Sequence, residues 1–171
     1  MTPYADTSLR SGIMLDLVGT IAAMPEVRGV IDDVPFDYKH PPRPRPSHGV
    51  AAQPYAYVFE GDENPNSDEF FVRAVCELPV TIELTYEYSK TDGANGLQPR
   101  GRALLAALQR AVMADPNRGQ HTLTSGDTAT RAQRTRELFN HIEETAVDGL
   151  GIVVTRWGVQ YLRDVRDPGN R

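Results

Sequence analysis

The 171-residue chain predicts an α+β fold, a mostly antiparallel sheet with two main helices packed on one face, plus extended loops and an arm. Three features of the sequence point there. Two segments repeat apolar residues at helical spacing, two long segments alternate in strand fashion, and the prolines and glycines gather between them.

Ile13, Met14, Leu17, Val18 and Ile21 recur at helical spacing, so a first helix is expected over Ser11–Met24. Ser11 or Ser8 could cap it, and Pro25 closes it. Val27 and Val30–Ile31 then suit a short strand before Pro35. From residue 38 to 54 the text is "YKHPPRPRPSHGVAAQP", whose five prolines exclude a helix or central strand. This stretch is read as an extended arm or connector. "YAYVFE" (Tyr55–Glu60) reads as a strand and "DENPNSDE" as an acidic turn or loop.

Over Val80–Ser89 the alternation is strict: Val80, Ile82, Leu84, Tyr86 and Tyr88 face one side, and Thr81, Glu83, Thr85 and Glu87 the other. That pattern belongs to an antiparallel strand with one buried face. After the connection "TDGANGLQPRG", Leu104, Leu105, Leu108 and Val112 mark a second helix over Arg102–Ala114, with Pro116 beyond its end. A polar excursion follows at 119–148. Within it Leu138, Phe139 and Ile142 form a weak apolar stripe, read as a polar surface helix in preference to an extended segment. The last strand spans Ile152–Arg163 and holds the single Trp157. Trp157, Val159 and Tyr161 should share the core side with Ile82, Leu84 and Leu108. Gly158 marks a bulge or a close backbone approach. The whole chain is expected to form one domain, 1–171.

The net charge of −5 argues against a dedicated nucleic-acid binder, which usually carries a basic footprint. Cys76 is alone, so one chain cannot build a disulfide framework or a cysteine metal site. No stretch approaches the ~20 apolar residues that cross a bilayer, and the first 24 residues read as a helix instead of a signal peptide. A soluble protein made in a cytoplasm is expected.

Motifs for chemistry are weak. His40, His48, His121 and His141 lie in polar surroundings outside any catalytic motif, and neither G-x-S-x-G nor H-E-x-x-H occurs. Cys76 with one histidine is the most enzyme-like pairing, and no spacing supports it. "DENPNSDEFFVR" begins like a calcium loop at Asp62, Asn64 and Asn66. It then has Ser67 where the turn needs Gly and Arg73 where a bidentate Glu belongs. "KTDGANG" lacks the Gly-Lys-Ser/Thr ending of a phosphate loop. No catalytic, cofactor or metal residues are expected.

Several segments together resemble a known family. They are the helix leading into "AAMPEVRGVI", the strands "YAYVFEG" and "VTIELTYEYSK", the helix "RALLAALQRAVMADPNRG" and the closing strand "GIVVTRWGVQYLRDVRDP". In order, they look like the tail terminator (tail completion) and minor tail proteins of long-tailed bacteriophages and prophages. The likeness leaves out the proline arm and the excursion between Gln120 and Val147, which is longer than that family usually shows. It implies a non-enzymatic virion protein, assembled in the host cytoplasm, that forms a ring, typically six-fold, at the head-proximal end of the tail tube. Its partners would be further copies of itself, the tail tube protein and the head–tail connector, with DNA passing through the lumen without specific binding.

For such a protein the candidate interface residues are Tyr38, Arg43 and Arg45 in the arm, Asp92 and Asn95 in the connection, and Arg131, Arg134 and Arg136 in the excursion. Long loops of this kind usually serve binding or are disordered. Two rival readings stand beside this one: another neck or head-closure connector protein, and a small ligand-binding or enzymatic α+β domain with a pocket between sheet and helices.

Overall fold

A computed structural model describes residues 9–31, 54–62, 64–70, 73–87, 99–116, 118, 132–145 and 150–164. Helix α1 (Leu9–Ala22) leads into β1 (Gly29–Ile31), followed by β2 (Tyr55–Glu60), β3 (Asn64–Phe70) and β4 (Arg73–Glu87). Then come helix α2 (Pro99–Met113), β5 (Ala132–Thr145) and β6 (Leu150–Asp164). The strands form one sheet in the order β1-β2-β4-β6-β5, with β3 pairing to β4 beside β2. Among the described strands only the β1–β2 pair is parallel. The class is α+β, as the alternation patterns require.

Both helices cover one face. Ile13, Met14, Leu17 and Ile21 of α1 are fully buried, as their spacing demands. Leu104, Ala107, Leu108 and Val112 of α2 join them over Leu78, Val80, Ile82 and Leu84 of β4 and Val153, Trp157 and Val159 of β6. Trp157, Val159, Tyr161, Ile82, Leu84 and Leu108 therefore do share one core. The indole Nε1 of Trp157 donates to Thr155 Oγ1 at 2.8 Å, so its burial leaves that donor satisfied.

Some boundaries moved for identifiable reasons. Helix α2 begins at Pro99, a residue suited to a first helical position because its missing N–H has no intrahelical partner there. Ser11 lies inside α1 instead of capping it, and Ser8 is outside the described residues. Strand β4 starts seven residues before Val80 and runs through Pro79. Pro79 sits at the seam where β3 pairing (through Glu77) gives way to β2 pairing (from Val80). Its carbonyl accepts from Gly61 N–H at 2.8 Å; the reciprocal bond is the one proline cannot donate, and the Gly61 carbonyl accepts from Arg10 Nη2 at 3.3 Å instead. Residues 88 and 89 lie outside the described set.

Two expectations fail. "DENPNSDE" is not simply a turn, because Asn64–Phe70 is strand β3, antiparallel to β4 with Asn64 opposite Glu77. The expected helix in the excursion is strand β5, paired with β6 along its whole length. A bulge misled the pattern. The β5–β6 register skips Leu138 between Glu137 and Phe139, which shifts the strand parity by one residue. Leu138, Phe139 and Ile142 then fall at helix-like spacing although the backbone is extended.

Candidate assembly surface

Among the described residues, strand β5 is the edge of the sheet beyond β6. Its inward positions are held from the helix side. Gln109 of α2 donates to both carboxylate oxygens of Glu137, at 3.1 and 2.9 Å, Thr135 is buried, and Ile142 packs against the core. Its outward positions are open: Arg134, Arg136, His141 and Glu143 are exposed, as is Phe139, at 52%. Leu138, at the bulge, is 40% exposed. Phe139 and His141 stack with ring centroids 6.2 Å apart, giving the middle of the edge an aromatic patch.

On the face away from the helices a polar brace crosses three strands. Glu77 of β4 accepts from Arg136 Nη2 of β5 at 2.7 Å and from Gln160 Nε2 of β6 at 3.2 Å. The carboxylate crosses over Gly158, where a methyl group would stand 3.0 Å from it. Gly158 is thus a close approach, one of the two roles expected for it, while the bulge falls on the neighbouring strand. At the other side of this face Tyr57 and Phe59 stack at 6.4 Å and are both buried, and Arg28 lies over the Tyr55 ring, 5.5 Å from its centre.

The two helices are clamped by an arginine that the sequence did not mark. Arg118, four residues past the last-turn residue Ala114, has a left-handed backbone (φ 49°) and a fully buried side chain. Its guanidinium donates to the Val112 carbonyl at the end of α2 and to Asp16 Oδ2 of α1 at 3.2 Å. Burial lowers its pKa, while Asp16 and Asp115 oppose the shift, so it stays charged. The contact satisfies a carbonyl left over at a helix end. A comparable link joins α1 to the sheet, where Arg10 pairs with Glu60.

Of the candidate interface residues, Arg134 and Arg136 fall on this open edge. Tyr38, Arg43, Arg45, Asp92, Asn95 and Arg131 lie outside the described residues. Leu138, Phe139 and Glu77 were missed. Cys76 is buried on the helix face, opposite the face that carries His141, so those two cannot act together. Among the described residues no group of three or more His, Cys, Asp or Glu could hold a metal ion, and no helix is long and apolar enough to cross a membrane. A shallow groove of about 350 Å³ separates the ends of α1 and α2, lined by Ala23, Met24, Ala107 and Ala111 with Glu26 and Arg110 at its rim. It gathers no set of groups suited to catalysis.

No protein family and no curated sequence matches the chain. Among solved structures it is similar to a chain described as "Virion of native gene transfer agent (GTA) particle", at 15% identity and a TM-score of 0.45. The match covers 95% of this chain and 99% of that one. At that distance it says nothing about what this chain binds or does.

Proposed function

We propose that this protein is a structural subunit of a phage-like virion, of the tail-terminator kind. It assembles with copies of itself into a ring, six-fold by the family resemblance, at the head-proximal end of the tail tube. There it ends tube growth and offers the head connector a docking surface. The observation that carries the assembly reading is the 14-residue edge strand β5, which leaves Leu138 and Phe139 exposed on an otherwise ordered ladder. Long open edges invite another chain. Among the described residues the core between helices and sheet is a cluster of aliphatic and aromatic side chains, which leaves the charged residues of β5 for contacts outside it. The placement at the tail end rests on the sequence resemblance, and a net charge of −5 suits a lumen through which DNA slides.

Negative-stain imaging of the purified protein tests this directly. Rings with a central hole are expected. A particle that stays monomeric at tens of micromolar and turns over a small molecule would overturn the proposal.

A further inference from the structure

Beyond the ring, we propose that the free edge of β5 is closed by β5 of a second copy, antiparallel, about a two-fold axis at Phe139. The argument starts from charge order along the strand. The exposed cations Arg134 and Arg136 occupy the first half, Phe139 the middle, and the exposed anion Glu143 the second half. Parallel self-pairing would set like charges against each other. Antiparallel pairing sets Arg134 of one copy against Glu143 of the other, while Arg136, already paired with Glu77, meets His141.

The rungs of β6 serve to count the register proposed. Counted in rungs of β6, which skip Leu138, Phe139 lies at Arg156, Arg136 at Gly158, Arg134 at Gln160, His141 at Val154 and Glu143 at Ile152. Arg136 and His141 are therefore two rungs either side of Phe139, and Arg134 and Glu143 four. A two-fold axis on Phe139 brings the two Phe139 rings together and sets Arg134 of each copy opposite Glu143 of the other. All of these positions are on one face, so no strand has to turn over. The described edge carries no proline or lysine; its guards are the charges of Arg134, Arg136 and Glu143 and its two bulges, and the pairing proposed uses the charges as contacts.

A two-fold contact is isologous and cannot itself propagate a cyclic ring. It caps the edge of the free subunit or joins two rings face to face. The ring reading draws on the same edge, so stoichiometry tells the two apart: pairs without rings keep the pairing and overturn the ring, and rings that do not pair keep the ring and overturn the pairing.

The test is sedimentation equilibrium on the full chain. The wild type should show paired copies, and Leu138→Lys/Phe139→Lys should abolish the pairing. Both side chains are exposed, so circular dichroism and Trp157 fluorescence should stay unchanged. Arg134→Glu alone should weaken pairing roughly tenfold, because each substitution acts twice across the axis. Arg134→Glu with Glu143→Arg should restore it, an outcome a contact between unlike edges would not give. A wild type without pairs, pairs that survive the double lysine variant, or a charge swap that fails to rescue would each overturn the proposal.

Discussion

Strands β5 and β6 are neighbours of nearly equal length, 14 and 15 residues, paired through most of their course, yet they are built for different ends. Strand β6 has a partner on each side and helices above it. Its inward row from Val153 to Tyr161 is at most 2% exposed. Strand β5 has β6 on one side, a polar contact from α2 to Glu137 and only Thr135 and Ile142 turned to the core among its described side chains, and its central Phe139 is half exposed. Backbone pairing alone therefore does not make a strand part of the core. Stability resides where side chains are covered on a face as well as paired along an edge, and residues on the open edge are free to serve another surface.

The sharpest way to test that division is Trp157→Ala in β6. The indole is fully buried and its N–H is bonded, so truncation removes a large packed ring and opens a cavity. A loss of about 3–5 kcal/mol is expected, seen as a fall of roughly 10 °C in Tm by calorimetry. An unchanged Tm would show that β6 does not anchor the core.

Arg118→Ala should follow at roughly 3 kcal/mol, because it leaves the Val112 carbonyl and Asp16 without their shared partner. Denaturant unfolding would read this loss. A near-neutral result would mean that the helix pair holds without its clamp. Gly151→Ala comes next. Gly151 and Tyr86 are direct partners across β4 and β6, and the Tyr86 ring lies over the glycine, where a methyl group would overlap it. Displacing a buried ring costs about 1–3 kcal/mol. A variant as stable as the parent would show that Tyr86 can move aside, and that this end of the β4–β6 core is loose.

The same contrast explains what the sequence could say. Strands β2, β4 and β6 and both helices were legible because burial on one face writes a period into the residues, as in Val80–Tyr86 or Ile13–Ile21. Strand β5 was not. Its Glu, Arg, Gln and Leu content favours a helix locally, its exposure erases the alternation, and the Leu138 bulge supplies a false helical stripe. Strand β3 hid because Pro65 and the acidic text read as a loop, although an outer strand tolerates proline. Of the candidate surface, Arg134 and Arg136 were found by their charge. Phe139 was visible only as a core residue, and Glu77 only as the polar half of a strand, since cross-strand partners are set by register.

The smallest effect tests the open side of the comparison. Arg136 is 47% exposed and its partner Glu77 keeps Gln160 when the guanidinium is removed. Solvent screens such a pair, so Arg136→Ala should cost about 0.2–1 kcal/mol, and a double-mutant cycle with Glu77→Gln should give a coupling in that range. The measurement is urea unfolding, with the slope m unchanged. Should the cost instead match that of Gly151→Ala, the brace from β4 over Gly158 to β5 would be holding the edge as firmly as the core holds β6. In that case the edge would be part of the fold's stability, and the division between the two strands would fail.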